Sequence, residues 1–495
     1  MNKRASGILL HISSLPSPYG IGTLGREAYE FIDLLSLSDQ KYWQILPVGP
    51  TLYGDSPYQS PSAFAGNPYF IDPDMLVEDG VLSKHDFDSL FWGDDPRKVD
   101  YGALYENRKK LFDRVAANFG AGDSAYAAFC NNNFRWLDDY SLFMALKEEN
   151  GGRLWNTLSD GIKRRNETEL LAAAERLSDK INKHKILQYF FFKQWRALRG
   201  YASERGIKVI GDMPIYVAYD SADVWSHPEL FKLNEELAPS VVAGCPPDGF
   251  SPYGQRWGNP IYDWEFSAEG LFSWWTSRIS HSLRIYDVLR IDHFRGFSDY
   301  YEIPAEEETA VRGEWRRGPG IALFEHIKNE IGELPIIAED LGFLDDDVRR
   351  MLRESGFPGM KVLQFAFDTE EDNDYLPHNY TRNCVIYTGT HDNDTLVGWI
   401  KSASPDTISR AKRYFGLPEN FDIGRIAEAF VRAVLSGVGD TAIIPMQDIL
   451  GLGSEARMNL PSSTEGNWRF RLSADYADKI DASKLRDYTV LYGRR

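Results

Sequence analysis

Eight short aliphatic runs, each bounded by turn-forming residues, recur along the chain, and helical patterns separate most of them. They are GILLHI (7–12), YWQILPVG (42–49), IKVIGD (207–212), YDVLRID (286–292), LPIIAED (334–340), MKVLQFAF (360–367), NCVIYTGTHD (383–392) and TAIIPMQD (441–448). A run of Ile, Val and Leu without polar alternation reads as a strand buried on both faces, and a sheet made of such strands is parallel and covered by helices. Apolar periodicity predicts helices over Arg26–Leu35, Leu271–Leu283 and Gly320–Ile331. Eight strand–helix units predict one α/β domain over 1–495, a (β/α)8 TIM barrel.

Two connections exceed ordinary barrel turns. Residues 51–206, between the second and third strands, hold amphipathic patterns. Leu104, Leu111, Phe112, Val115 and Phe119 share one face, and Leu187, Phe191, Trp195, Leu198 and Ala202 share another. This predicts an inserted helical subdomain. Residues 213–285, between the third and fourth strands, read as a loop-rich insertion. Only about 47 residues follow the last strand, too few for an appended β-sandwich, since such domains run to ~100 residues.

Charge and cysteine content remove several functions. Fifty-five basic against seventy-three acidic residues leave −18, a surface that repels nucleic acid and anionic membranes. Cys130, Cys245 and Cys384 are far apart and lack the paired spacing of a zinc site or disulfide framework. No apolar run approaches the ~18 residues of a membrane span, and the N-terminus lacks a signal-peptide core, so a soluble, cytoplasmic protein is expected. The 13 Trp, 26 Tyr and 28 Phe are more informative, because many crowd into Gly/Pro-rich stretches at 53–73 and 243–264. Rigid loops carrying flat rings with Asn, Gln and Asp suit ligands that have a C–H face and many hydroxyls, as sugars do.

In a barrel of this kind chemistry collects at the C-terminal ends of the strands. Those ends carry Asp212, Asp292, Glu339 or Asp340, and His391 with Asp392. A carboxylate beside a hydrophobic barrel is costly without a partner. Arg290 is the obvious one for Asp292, because residues two apart on a strand share a face. Asp292 and the fifth-strand acid sit on neighbouring strands and could reach the ~5–5.5 Å separation of a retaining glycosidase pair. Alternation alone does not decide between Glu339 and Asp340. Asn393 and Asp394 read as caps of a helix beginning near Thr395. Two other classes fit some of these features. A magnesium-dependent lyase of the enolase type would need a base, for which only His391 is at hand. A non-catalytic carbohydrate-binding protein would not need every acid.

RIDHFRGF (290–297), IIAEDLG (336–342) and GTHDNDT (389–395) resemble the catalytic segments of the α-amylase clan of glycosidases. GDMPIYV (211–217), SPYQSPSAFAGNPYFID (56–72), PPDGFSPYGQRWGNPIYDW (246–264) and ARMNLP (456–461) are more specific, and with them the chain resembles the amylomaltase family of 4-α-glucanotransferases. The likeness runs from HISSLPSPYGIGTLG (11–25) to GNWRFR (466–471). It implies Asp292 as nucleophile, Glu339 as general acid/base and Asp392 as the third, transition-state-stabilising acid. It implies Arg290, His391, His293, Asp212, Ser56, Tyr58, Gln255, Trp257 and Asn459 as substrate-site residues, with Tyr58, Phe250 and Trp257 stacking on or lining a glucan groove. The implied substrates are α-1,4-glucans such as maltodextrins, starch or glycogen fragments, with glucose as an acceptor, and no metal or organic cofactor. The competing activity within the clan is α-amylase-like hydrolysis, which uses the same acids.

Overall fold

A computed structural model describes residues 4–495 except 53, 121, 248–250, 343, 369–372, 419, 462 and 464. Twelve strands are present among the described residues: β1 (Ala5–Leu9), β2 (Tyr42–Gln44), β3 (Lys208–Pro214), β4 (Val241–Cys245), β5 (Gln255–Pro260), β6 (Val288–Asp292), β7 (Asp299–Pro304), β8 (Glu314–Arg317), β9 (Ile336–Ala338), β10 (Gly359–Val362), β11 (Cys384–Tyr387) and β12 (Thr441–Pro445). Eight of them form one sheet in the order β10-β11-β12-β1-β2-β3-β6-β9. Every ladder in it is parallel.

The ring closes between β9 and β10 without a ladder. Ala338 N–H donates to Pro358 O at 3.0 Å, and the buried Asp340 carboxylate accepts the Met360 N–H at 2.6 Å. The aliphatic strands thus close into a (β/α)8 barrel, each presenting buried residues to both the lumen and the helical coat. Helices Arg26–Leu37 and Ala268–Ile285 extend the expected segments by a few residues, and Ile321–Ile331 begins one residue after the expected start.

Residues 51–206 contain four long or medium helices, Tyr101–Asn118, Ser124–Glu149, Glu167–Arg176 and Ser178–Glu204. The last lies against the barrel, its Trp195 Nε1 donating to Ile285 O at 3.1 Å. It also pins the Gly/Pro-rich stretch beside it. Gln188 pairs with both the N–H and the C=O of Gly66 (2.8 Å each), and Gln194 does the same for Asp72 (2.7 and 3.1 Å).

The stretch 213–285 differs from the loop-rich expectation. Besides the expected helix it carries β4 and β5, and these strands join β7 and β8 in an antiparallel sheet of order β5-β4-β7-β8. That sheet is assembled from the connections leaving the C-terminal ends of β3 and β6, so it stands beside the face where the acids emerge. The helix after β11 also differs in its cap. It spans Leu396–Ser402, and Thr395 caps it by accepting the Gly398 N–H at 3.1 Å, rather than Asn393 or Asp394. Among the described residues, no helix is long and apolar enough to cross a membrane.

The β9–β10 seam yields a stability prediction. A Cβ on Gly359 would overlap the Asp340 carboxylate that holds the Met360 amide. Gly359→Ala should therefore destabilise the protein by about 1–3 kcal/mol, the usual range for overpacking a filled interior, measured by denaturant unfolding. Unchanged stability would show that the seam does not depend on this contact.

Candidate active site

Register places the first three charged groups. In the β3–β6 ladder Asp212 lies directly opposite Arg290, and Pro214 opposite Asp292. Arg290 is only 3% exposed. Its Nη1 donates to both oxygens of Asp212 (2.8 and 2.7 Å), and its Nη2 donates to Asp292 Oδ1 (2.8 Å). The two carboxylates hold the guanidinium in its charged form despite burial, which acts the other way.

Asp212 itself is wholly enclosed, its side chain having no exposed surface. Tyr58 donates to Oδ2 at 2.8 Å and the Met213 N–H to Oδ1 at 2.9 Å. Burial raises its carboxyl pKa, opposed chiefly by Arg290. Asp212 therefore lies behind the site, holding Arg290 and Tyr58, rather than at its open surface. Asp292 keeps a partly exposed side chain.

Glu339 and Asp340 follow β9 and diverge. Asp340 turns to the seam described above. Glu339 turns to Asp292's side of the barrel mouth, where Oε2 accepts the His293 N–H (2.7 Å) and Oε1 the Leu341 N–H (2.8 Å). Burial, reinforced by the like charge of Asp292, raises the Glu339 carboxyl to about 7; Arg290 and the two amides oppose the shift. His293, whose amide makes one of these bonds, adopts the left-handed conformation at φ 53°, ψ 50°, uncommon for a residue with a Cβ. Burial lowers its imidazole to about 4, so the ring is neutral at pH 7. The ring meets Trp257 edge-on at 4.8 Å, and Trp257 Nε1 donates to Gln255 Oε1 at 3.1 Å.

The seventh strand supplies the other wall. Asn393 Oδ1 accepts from the Thr390 N–H (2.8 Å) and hydroxyl (2.9 Å), closing the turn that presents His391 and Asp392. The His391 ring stacks on Tyr58 at 5.2 Å and 15°, and Trp468 packs against both. His391 Nε2 lies 3.3 Å from Asp392 Oδ2. Asn459 Nδ2 donates to Asp392 Oδ1 at 2.6 Å. Ser56 Oγ accepts the Tyr58 N–H at 3.2 Å, shaping that loop. Phe250 lies outside the described residues.

Four contributors went unassigned in the sequence. Arg457 donates to Asp392 O at 2.6 Å. Asp448, just beyond β12, accepts from the Thr388 hydroxyl (2.6 Å) and the Leu396 N–H (2.7 Å), bracketing the 389–395 turn. Trp468 walls Tyr58 and His391. Buried His11 accepts the Leu46 N–H through Nδ1 at 3.2 Å. Asp448 was legible as a further strand-end acid, in TAIIPMQD; the others carry no periodic or spacing signal. Among the described residues, no group of three or more His, Cys, Asp or Glu is arranged to hold a metal ion.

The family model described as 4-alpha-glucanotransferase matches residues 10–476. The 4-alpha-glucanotransferase of Clostridium butyricum is 49% identical over 490 residues, covering 98% of this chain and 100% of that protein. The Thermus thermophilus 4-alpha-glucanotransferase is 47% identical, covering 98% of this chain and 97% of that one. The amylomaltase from Streptococcus agalactiae, solved in complex with acarbose, superimposes with a TM-score of 0.95 at 44% identity, over 99% of this chain and 100% of that chain. The match covers both walls of the site and the loops between them, and the chain belongs to the 4-alpha-glucanotransferase family.

Proposed function

We propose that Asp292 is the nucleophile, Glu339 the general acid/base and Asp392 the third acid of a retaining transfer between α-1,4-glucans. The observation that supports this most directly is the opposite setting of two acids at adjacent strand ends. Asp292 accepts a hydrogen bond from the Arg290 guanidinium, while burial raises the Glu339 carboxyl to about 7. A carboxyl group set against a cation beside one kept protonated by burial supplies an attacking group and a proton donor.

Glu339 protonates the departing glycosidic oxygen while Asp292 attacks the anomeric carbon, forming a glycosyl ester and releasing the reducing-end fragment. Glu339, now ionised, takes the proton of an incoming 4-hydroxyl as that oxygen displaces Asp292. Asp392 and His391 face the sugar from the seventh-strand side. Tyr58 and Trp257 line the groove, Gln255 and Asn459 orient its polar groups, and Ser56 shapes the loop bearing Tyr58. Asp212 acts from behind as a positioning residue. In this reading the helices within 51–206 form a subdomain that buttresses the substrate loops. Glucose serves as the smallest acceptor, and the setting is cytoplasmic maltodextrin, starch or glycogen metabolism.

The decisive test is pure maltotriose. Transfer yields glucose with a ladder of longer maltodextrins and little net rise in reducing ends. Maltose and glucose alone, with one new reducing end per bond cleaved, would replace transfer by hydrolysis.

Asp292→Asn should lower turnover by about three orders of magnitude or more, because an amide cannot form the glycosyl ester. Arg290 keeps Asp212 in this variant, so far-UV circular dichroism should be unchanged. A tenth of the activity remaining would remove Asp292 from its role.

The pH profile follows from Glu339. Its folded pKa is raised, so the acid form is full below about 7 and is lost as pH rises through that value. With maltotriose, kcat/KM should fall along an alkaline limb centred near 7. A glycosyl fluoride needs no protonation to leave, and the limb should be absent for its first displacement. Identical limbs for both substrates would argue that Glu339 is not the donor.

A further inference from the structure

Three helices, Ser124–Glu149, Ser178–Glu204 and Ala268–Ile285, meet on the outer wall of the barrel. Their junction holds two adjoining cavities of 640 and 780 Å³. Asn132, Asn133, His281 and Arg284 line both, so the two form one trough. Each volume falls within the ~300–1,000 Å³ typical of small-molecule sites.

The uncompensated charge in the trough is all of one sign. Arg135 and Arg284 line the larger cavity, and Arg196 joins Arg284 in the smaller. None of these three guanidiniums makes an ion pair with a described residue; Arg135 only approaches the Phe134 ring, at 6.0 Å. The other cations are engaged, Lys193 with Asp79 and Arg199 with Asp287, each at 2.6 Å. The acids are engaged as well, and all three belong to the larger cavity. Asp139 pairs with Arg165 at 2.6 Å, Glu229 with His227 at 3.3 Å, and Asp223 accepts the Ala63 N–H at 2.8 Å. Among the described residues no acid lines the smaller cavity.

This is a local inversion of the molecule's field. A chain of net charge −18 repels small anions over most of its surface. Three unpaired guanidiniums around one concavity therefore mark where an anion is held. The planar fork of a guanidinium matches phosphate oxygens two at a time, and several of them beside one cavity suit a dianion better than a monocarboxylate.

The rest of the lining calls for more than inorganic phosphate. Ser277 and Ser280 lie on the same helical face as Arg284. Their hydroxyls, and the Asn132 amide on the facing helix, make no hydrogen bond to any described residue. The floor is aromatic: the Phe192 ring lies 5.8 Å from Phe129 and 5.9 Å from Trp136, and Trp136 lies 5.6 Å from His281. His281 belongs to that floor rather than to the cationic rim. Burial lowers its imidazole to about 4, and the neutral ring donates through Nε2 to Phe64 O at 2.8 Å.

We propose that this trough binds a small organic phosphate. The phosphate dianion sits at Arg284, which is common to both cavities, with Arg135 and Arg196 reaching it from one cavity each. The carbon skeleton lies over the aromatic floor, with its hydroxyls toward Ser277, Ser280 and Asn132. Sugar phosphates and nucleoside phosphates share this chemistry.

Calorimetric titration of the full chain with a hexose phosphate, a nucleoside monophosphate and inorganic phosphate tests the assignment. The expected result is saturable, one-to-one binding of at least one organic phosphate, roughly tenfold or more tighter than inorganic phosphate; the tighter organic ligand identifies the source. Arg284→Ala should raise its Kd roughly tenfold, as expected for lost charge-assisted hydrogen bonds. Maltotriose turnover without the ligand should stay at the wild-type value, because the Arg284 carbonyl that holds Arg199 is kept. Arg353→Ala, which removes an exposed arginine on the helix Asp346–Ser355, should leave the Kd unchanged. The proposal is overturned if neither organic phosphate binds, if inorganic phosphate binds as tightly, or if Arg284→Ala weakens binding no more than Arg353→Ala does.

Discussion

Arg290 is the group on which the site's geometry hangs. A guanidinium buried to this degree loses its hydration, and only close, hydrogen-bonded carboxylates offset that loss. Nη1 takes both oxygens of Asp212 and Nη2 takes Asp292, so neighbouring strands β3 and β6 are tied at the level where they end. From Asp212 the constraint passes to the Tyr58 hydroxyl, from the Tyr58 ring to His391, and from His391 to Asp392. Strands β3 and β6 and the loops following β2 and β11 are thereby registered against one cation. Removing it would leave two carboxylates facing each other in a low-dielectric site, a loss of about 3–5 kcal/mol for a buried pair broken on one side.

Consecutive acids after β9 show how position alone separates structural from chemical work. Asp340 accepts a backbone amide at the one junction of the barrel that has no strand ladder, so it serves closure. Glu339, one residue earlier, projects the other way and meets two amides, one from its own turn and one from His293. Those amides would favour an ionised carboxylate, yet burial and Asp292 outweigh them and keep the proton on. The left-handed backbone of His293 is tied to the same contact. A residue with a Cβ in that conformation is normally disfavoured, and here its amide is bonded to the group proposed to transfer the proton.

Much of this was readable before any coordinates. Aliphatic runs located all eight barrel strands, because strands buried on both faces leave a continuous apolar signature. The alternation rule placed Arg290 beside Asp292, and acids at strand ends marked the mouth. The antiparallel sheet escaped for the complementary reason. β8 is EWRR with every residue exposed, and β5 is QRWGNP, with a glycine and a proline that argue against a strand. Each pairs only with its near neighbour in sequence, β4 or β7, and the two pairs are joined by the β4–β7 ladder between distant segments, which no local pattern records. Asp212 was legible as a strand-end acid, but its enclosure behind Arg290 depends on the β3–β6 register. Glu339 and Asp340 could not be told apart, since the strand stops at Ala338 and alternation stops with it.

The Gly/Pro-rich loops raise a last physical point, because such sequences are usually free to move. Here their order comes from buried amides rather than from apolar packing alone. Gln188 and Gln194 each satisfy both backbone groups of one residue, Gly66 and Asp72, as a neighbouring strand would. Asn259 ties Gln59 to the Val217 carbonyl across from the second loop. Fixing a backbone residue costs roughly 1–2 kcal/mol, and these contacts meet that cost during folding instead of during substrate binding. A glycosyl-enzyme can be resolved by water or by a sugar hydroxyl. The sugar wins only where its hydroxyl is held in line at an effective molarity above that of bulk water, and well-oriented groups reach ~10⁵ M or more. A groove already ordered before the acceptor arrives keeps that orientation free of the ordering penalty. The amide clamps on 53–73 and 213–264 are therefore as much a part of choosing transfer over hydrolysis as the acids that perform it.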